Sequence, residues 1–313
     1  MTHLPPGLLP EGLRDRLPGE AAANARTLRA LLDSIEARGY ERVAPPLVEY
    51  EETLAARLKS SRHDLARFVD PLSQRTLAVR PDITPQIARI VSTQLAHVPR
   101  PLRLAYAGPV LKLGAPQLNP QRETMQVGAE LIGSDSVDAA CEIVGIAVEA
   151  LAAAGVAGLT VDLTLPDLVQ TLAGLVLTPE KIAALDLLLD MKDAGGLACA
   201  GFKDWLPLIA ATGPVSQALA ALRKFDHAGL MVSRINGIET IAATLINKGV
   251  RVTLDPTERH GFEYQSWFGF SLFVAGASGA VGRGGSYSIA HPDGHAEPAT
   301  GFSVYPDTLS KDA

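Results

Sequence analysis

The chain has 313 residues, of which 47% are hydrophobic and 20% are charged, and its formal net charge is −6. This length and apolar content predict a globular protein of about two domains, and the acidic balance excludes broad, sequence-independent binding to nucleic acid, which needs clustered Lys and Arg. The N-terminal residues lack the basic end and apolar block of a signal peptide. The longest apolar stretch, 150–161, is too short and too rich in glycine to span a membrane. We therefore predict a cytoplasmic protein that contacts neither nucleic acid nor membrane.

The first half of the chain predicts a helix, then strands grouped in hairpins. Apolar spacing, prolines and alternation set these expectations. The expected elements are, in chain order, a helix over 20–39, an extended edge segment over 40–48, a strand over 75–80, a helix from its cap Thr84 to Leu95, paired strands over 102–113 and 123–132, a helix capped by Asp135, and a strand over 159–165.

Residues 166–248 have a different sequence pattern, because alternating β-branched residues are almost absent and residues typical of helix starts recur. Strands are expected again at 250–254, 262–274 and 302–305, with a glycine-rich return at 276–286. Strands grouped in this way favour the α+β class over a doubly wound sheet. We predict a discontinuous sheet domain made of 1–165 and 249–313, interrupted by a helical insertion domain over 166–248.

Polar side chains concentrate in two runs, RPDITPQ (80–86) and RETMQVGAELIG (122–133). Gln126 and Glu130 lie an even number of residues apart on a predicted strand, so their side chains leave the same face of the sheet. Together with Asp82 they could hold a ligand ammonium by charge-assisted hydrogen bonds. The alternative is a solvated sheet face.

Other motifs carry less chemistry. GAVGRGGSY (279–287) lacks the spacing of phosphate-binding loops and favours a hairpin with close backbone approach, although a nucleotide loop stays open. His291 and His295 have helical metal spacing, but the proline and glycine between them predict a turn and no metal site. Cys141 and Cys199 fit no metal spacing and are expected in the core.

Read in order, the runs resemble the class II synthetase fold as found in histidyl-tRNA synthetases. The runs that carry the resemblance are PLVE (46–49), VRPDIT (79–84), YAGPVLK (106–112), QVGAELIG (126–133), GFEYQSWFGF (261–270), GRGGSY (282–287) and GFSVYPD (301–307). They cover almost the whole chain apart from the helical segment. The resemblance implies a class II aminoacyl-tRNA-synthetase-like antiparallel sheet flanked by helices, with a helical insertion.

The chain departs from that pattern where synthetases clamp ATP. Lys112 and Thr308 stand where arginines are expected, Gly114 replaces an acidic residue, and His260 replaces the arginine before the GFEY run. A planar, bidentate guanidinium suits phosphate and adenine better than these side chains do. The resemblance therefore implies a degenerate ATP site and no catalytic residues.

A synthetase body with these losses resembles the family of ATP phosphoribosyltransferase regulatory subunits. Two runs, LPEGLRDRLPGEA (9–21) and RPDITPQIARI (80–90), are close to the usual sequences of that family. The resemblance implies that the chain does not aminoacylate and self-associates within a hetero-octamer with a short-form catalytic subunit. It also implies that the chain is needed for the activity of that catalytic subunit in the first step of histidine biosynthesis and for its feedback inhibition by histidine. The partner would bind ATP, phosphoribosyl pyrophosphate and Mg²⁺, so the chain itself needs no cofactor or metal.

By the same resemblance, the inherited pocket would bind histidine. The implied contacts are Asp82, Thr84 and Gln126 with the α-ammonium, Glu130 and Tyr264 with the imidazole, Tyr287 in the lining and Arg122 with the carboxylate. Two other interpretations stay open. One is a truncated ligase that activates an amino acid for a small acceptor, with Lys112 or Arg283 on the phosphate. The other is a free-standing amino-acid sensor for a different partner.

Overall fold

The computed structural model describes residues 7–55, 65–114, 120–174, 176–259 and 265–309. Its helices are α1 Pro18–Glu36, α2 Glu51–Ala55, α3 Thr84–Thr93, α4 Val137–Ala153, α5 Leu168–Ala173, α6 Pro179–Asp190, α7 Ala194–Cys199, α8 Leu206–Ile209, α9 Val215–Phe225 and α10 Val232–Asn247. Its strands are β1 Glu41–Arg42, β2 Val48–Tyr50, β3 Arg67–Val69, β4 Thr76–Val79, β5 Leu102–Leu111, β6 Glu123–Ile132, β7 Leu159–Thr164, β8 Gly213–Pro214, β9 Arg251–Leu254, β10 Gln265–Val274, β11 Gly282–Ala290 and β12 Ala296–Val304. None of the described helices is long and apolar enough to cross a membrane.

A nine-stranded sheet forms the frame of the molecule, in the order β1-β5-β6-β12-β11-β10-β7-β9-β8, beside a small sheet β2-β4-β3. The predicted hairpin β5–β6 is antiparallel, with Leu102 opposite Ile132 and Leu111 opposite Glu123. The sheet is mixed, because β1 runs parallel to β5 and β9 runs parallel to β7. The long helical connection between β7 and β9 explains the second parallel pair, since a parallel neighbour requires a crossover.

The two faces of the large sheet bury different cores. On β6 the odd-numbered residues Val127, Ala129 and Leu131 belong to the main core with α1 and α4, whereas Ile132 belongs to a smaller core with α3. The even-numbered Gln126 and Glu130 share the face of Ile132. The predicted polar residues of β6 therefore face α3 at the buried centre of the sheet, and the solvated-face alternative is wrong for this strand.

The helical segment between β7 and β9 contains α5 to α10 among its described residues. Its buried residues, such as Leu185 and Ile238, belong to the same main core as the sheet residues Val161 and Leu163. Helix α10 also packs against α4. The segment therefore shares its apolar core with the sheet, and the division into two domains at 166–248 stays a prediction from the sequence.

Two predicted helix caps differ from the structure. Helix α3 begins with Thr84 itself, after Ile83, and the Thr84 hydroxyl is directed to the site described below instead of the helix backbone. Helix α4 is capped by Ser136, whose hydroxyl accepts the amide of Ala139, while the carbonyl of Asp135 accepts the indole N–H of Trp267. At α3 a tertiary partner takes the hydroxyl of the predicted cap, whereas at α4 the local cap lies one residue later than predicted.

The C-terminal strands are longer than their composition suggests. The glycine-rich return is half strand, because β11 begins at Gly282, and β12 begins at Ala296, ahead of the predicted start at Phe302. A Cβ on Gly284 would lie 2.5 Å from the Gly301 carbonyl oxygen. The glycines thus permit the close backbone approach predicted for this hairpin, and pairing with β10 and β12 outweighs their weak strand propensity.

Candidate amino-acid-binding site

Glu130 lies at the centre of the candidate site, with 1% of its surface exposed. Its carboxyl group accepts hydrogen bonds from Thr84 Oγ1 at 3.1 Å, Tyr106 Oη at 3.2 Å and Tyr287 Oη at 2.9 Å. Burial raises the pKa of Glu130 to about 8; the hydroxyl donors oppose this shift, and the nearby charge of Asp82 adds to it. At neutral pH Glu130 is therefore mainly the neutral acid, able to donate as well as accept.

Gln126 ties the start of α3 to the sheet. Its Nε2 donates to Asp82 Oδ1 at 2.8 Å and to Ser303 Oγ at 2.7 Å, while its Oε1 accepts the amide of Ile83 at 2.9 Å. Asp82 Oδ1 also accepts the amide of Thr84. A carboxylate held in this way is pre-positioned for a cationic ligand group. The predicted grouping of Asp82, Thr84, Gln126 and Glu130 is thus present in the structure.

Glycines make room for these side chains. A Cβ on Gly301 would lie 1.5 Å from Glu130 Oε2, and one on Gly128 would lie 2.4 Å from Tyr106 Oη. Gly301 pairs with Glu130 across β12 and β6. Only residues without a side chain let the neighbouring strands carry a carboxyl and a phenol on this face.

The site has little open volume. Its open cavity measures about 10 Å³, room for about one water molecule. It is lined by Thr84, Glu130, Gln265, Arg283, Gly284, Gly285, Tyr287, Gly301, Phe302 and Ser303. A ligand of amino-acid size therefore requires some of these lining side chains to move.

The structure does not bring every predicted residue to this cavity. Tyr287 is present through its bond to Glu130, but the Arg122 guanidinium donates to the carbonyl oxygens of Lys112 and Glu11, each at 3.2 Å. It is therefore engaged with the N-terminal segment, away from the site. Tyr264 and His260 lie outside the described residues.

The other predicted ATP-site positions hold no arginine. The Lys112 ammonium lies 5.4 Å from the centre of the Tyr305 ring, and Gly114 is exposed. Thr308 Oγ1 donates to the carbonyl of Tyr305 at 2.6 Å. Thr308 is thus occupied locally, and Lys112 offers a point charge in place of a bidentate fork.

Four side chains of the site were not assigned to it from the sequence: Tyr106, Gln265, Arg283 and Ser303. Gln265, Arg283 and Ser303 lie on strands far from β6 in the chain. Tyr106 lies on the neighbouring strand β5, but its place opposite β6 depends on the register of the hairpin. The one available signal was strand alternation, which places Arg283 and Tyr287 on the same face of β11.

Two further predictions are tested outside the site. Cys199 is exposed at the end of the short helix α7, so its assignment to the core is wrong, whereas Cys141 is half-buried beside Thr244. Helix α7 presents one buried residue, Leu197, to the core, and Cys199 falls on its other side. Within the described residues, no group of three or more His, Cys, Asp or Glu side chains is arranged to hold a metal ion.

Comparisons with known proteins agree with the fold and the predicted family. A family model described as histidyl-tRNA synthetase matches residues 12–309. An ATP phosphoribosyltransferase regulatory subunit from Rhodospirillum centenum is 42% identical, over 96% of this chain and 79% of its own. Two solved structures share the fold. An ATP phosphoribosyltransferase regulatory subunit/histidyl-tRNA synthetase from Bacillus halodurans C has a TM-score of 0.87 at 24% identity and covers 99% of this chain and 83% of its own.

The second solved structure is the ATP phosphoribosyl transferase (HisG:HisZ) complex from Thermotoga maritima, with a TM-score of 0.71 at 16% identity over 90% of this chain and 97% of the matched one. At that identity the likeness shows the fold alone. The family match and the Rhodospirillum relative confirm the predicted family. They also agree with the prediction that the chain is a regulatory subunit of an enzyme complex. The chain belongs to the histidyl-tRNA-synthetase-like family of ATP phosphoribosyltransferase regulatory subunits.

Proposed function

We propose that the chain serves the first step of histidine biosynthesis as the regulatory subunit of a short-form ATP phosphoribosyltransferase, and that it conveys feedback inhibition by histidine. One observation carries the proposal. The amino-acid side of the synthetase pocket keeps its polar network around Glu130 and Asp82, while the ATP side has Lys112 and Thr308 in place of arginines. A site of this kind suits binding of an amino acid without its activation.

Histidine fits the chemistry of the two ends of the network. The Asp82 carboxylate and the Gln126 amide suit an α-ammonium group. A neutral imidazole has one donor and one acceptor nitrogen, and the neutral Glu130, which lies beside Tyr287, can donate to the acceptor nitrogen. In the structure, the tyrosine and threonine hydroxyl groups donate hydrogen bonds to the Glu130 carboxyl. Binding would exchange some of these hydrogen bonds for hydrogen bonds to the ligand.

The partner supplies the catalysis. We propose a cytoplasmic hetero-octamer of catalytic and regulatory subunits in which the regulatory chains also contact one another. ATP, phosphoribosyl pyrophosphate and Mg²⁺ belong to the catalytic subunit, and this chain carries no cofactor of its own. The ATP phosphoribosyl transferase from Thermotoga maritima is a complex of HisG and HisZ, which supports a partnership with a catalytic subunit.

Regulation then requires histidine to favour one quaternary state over another. A coupling free energy of about 1–3 kcal/mol changes the ratio of states about 5–150-fold. A ligand with equal affinity for both states regulates nothing, however tightly it binds. The small cavity offers a physical source of this difference, because a bound ligand would move lining residues such as Thr84 at the start of α3.

The test is an assay of a short-form catalytic subunit with and without this chain, followed by addition of histidine. We expect activity only with the chain present, and inhibition by histidine. Glu130→Ala should still activate the partner but lose the inhibition. Activity that does not depend on this chain, or amino-acid-dependent pyrophosphate exchange by the chain alone, would contradict the proposal.

A further inference from the structure

Arg283 lies on β11 and lines the same cavity as Glu130 and Thr84. Within the described lining of that cavity it is the one cationic side chain. It stands opposite Ser303 on β12, and Ser303 Oγ accepts the Gln126 amide and lies 2.9 Å from Tyr106 Oη. The arginine therefore joins the end of the site where Gln126 and Asp82 meet.

The other end of the site lies further along the same strand. Tyr287 shares the face of Arg283 on β11 and donates to Glu130. The two residues are four positions apart, which is about 13 Å along a strand. The site is thus polarised, with a cation beside the Asp82 end and neutral hydroxyl and carboxyl groups at the Glu130 end.

Gln265 supplies an independent sign that the Glu130 end receives a ligand. Its Oε1 is buried and, among the described residues, has no hydrogen-bond donor. Gln265 stands opposite Tyr287 in the β10–β11 pairing and lines the cavity. A buried acceptor without a donor is unfavourable unless a ligand N–H or a water satisfies it.

We propose that Arg283 binds the α-carboxylate of the ligand, so that the site selects a free amino acid with a ring N–H over derivatives whose carboxylate is missing or masked. The inference rests on the proposed histidine site and names what that site recognises. A guanidinium binds a carboxylate with two parallel hydrogen bonds, while Asp82 faces the ammonium and Gln265 accepts from the ring. It assigns to Arg283 the contact that the resemblance had implied for Arg122.

Calorimetric titration of the full chain with histidine and with histamine, which lacks the carboxylate, tests the inference. Histamine is titrated directly and as a competitor of histidine. We expect Arg283→Met to weaken histidine binding about 10–100-fold, the range for hydrogen bonds to a charged group, and to leave histamine binding unchanged. Arg283→Lys keeps the positive charge but cannot form two parallel hydrogen bonds, so its affinity for histidine should lie between those of the wild type and Arg283→Met.

Arg122→Met is the matched control, because it removes an arginine that the structure places away from the cavity. Its affinity for histidine should equal that of the wild type. An equal loss of both ligands in Arg283→Met, no loss in either Arg283 variant, or a selective loss in Arg122→Met would overturn the assignment of Arg283. If the wild-type chain binds no histidine, the proposed histidine site itself falls, and the inference falls with it.

Discussion

At the scale of single residues, the site depends on a carboxyl group kept neutral by its surroundings. Glu130 is fully enclosed by the sheet and α3, and its hydrogen-bond partners are hydroxyl groups instead of cations. Burial disfavours the charged form and raises the pKa of Glu130 to about 8. A protonated carboxyl can share hydrogen bonds with an imidazole without a fixed charge opposite it.

The raised pKa predicts how stability depends on pH. Between the ordinary value of 4.5 and about 8, the folded chain holds a proton on Glu130 that the unfolded chain has released. The contribution of Glu130 is therefore full below pH 4.5 and is lost as the pH rises toward 8, with a slope of at most about 1.4 kcal/mol per pH unit. The amide of Glu130→Gln does not titrate. As the pH rises, the free energy of unfolding of the wild type should therefore fall relative to that of the variant. Urea unfolding of both proteins from pH 5 to 8 measures the difference, and parallel curves would contradict the neutral carboxyl.

Gly301 predicts a steric effect on the same carboxyl. In Gly301→Ala the new methyl group would meet Glu130 Oε2 and the Ala129 carbonyl. We expect a loss of stability of about 1–3 kcal/mol, as for other overpacked cores, together with loss of histidine binding. Gly279→Ala is the control, because its Cβ would meet nothing within 4 Å. Denaturant unfolding and histidine titration report the two effects, and a Gly301→Ala protein that behaves like the control would show that the close packing is unnecessary.

At the scale of elements, the hairpin β11–β12 carries one wall of the site. It pairs with β10 and β6, and an ion pair also joins it to the segment that follows α3. Arg100, which follows α3, donates to Glu297 on β12 from Nε and from Nη2, the latter at 3.0 Å. His291 at the end of the hairpin lies 2.8 Å from Glu297 Oε2. Burial alone would raise the pKa of Glu297, but its hydrogen bonds with Arg100 and His291 outweigh burial and lower it. Glu297 is therefore a buried carboxylate that depends on its partners.

Removing one partner of this pair should be costly. We expect Arg100→Met to lower the free energy of unfolding by about 3 kcal/mol, because the carboxylate of Glu297 would stay buried and lose its main partner. Arg223→Met breaks an exposed pair with Glu239 on the helices and should change it by less than about 1 kcal/mol. Denaturant unfolding at neutral pH compares them, and equal changes would contradict the anchoring role of Arg100.

At the scale of the whole molecule, the sheet and the helical segment share one apolar core. Leu163 of β7 and Ile238 of α10 belong to the same cluster of buried residues, and both are fully buried. Helix α10 also packs along α4, which covers the sheet. Elements that share a core lose their packing together.

A shared core predicts one cooperative unfolding transition. In a calorimetric scan we expect a single peak for the full chain, with equal calorimetric and van't Hoff enthalpies. Ile238→Ala should lower the free energy of unfolding by about 2–5 kcal/mol and move the whole peak. Ile246→Ala, on the exposed side of the same helix with 52% of its surface accessible, should leave the peak in place. Two separate peaks, or a shift of one part alone, would favour an independent insertion domain.

Local patterns were sufficient for the parts of this protein that depend on neighbours in the chain. Alternation predicted β6 over 123–132 with the bounds that the structure has, and it placed Gln126 and Glu130 on one face. The resemblance to the synthetase pattern grouped Asp82 and Thr84 with that face, and the structure joins them to it by hydrogen bonds. The ordered runs of the synthetase pattern also predicted the family. These features depend on residue type and spacing, which the sequence contains.

The tertiary structure decided which distant residues complete the site and in what chemical state. The pairing of β11 with β12 and β10 brings Arg283 and Gln265 to the cavity, and contacts with the N-terminal segment take Arg122 away from it. Enclosure between the sheet and α3 makes Glu130 a neutral acid. Strand register and burial arise from contacts between residues far apart in the chain, so no local pattern contains them.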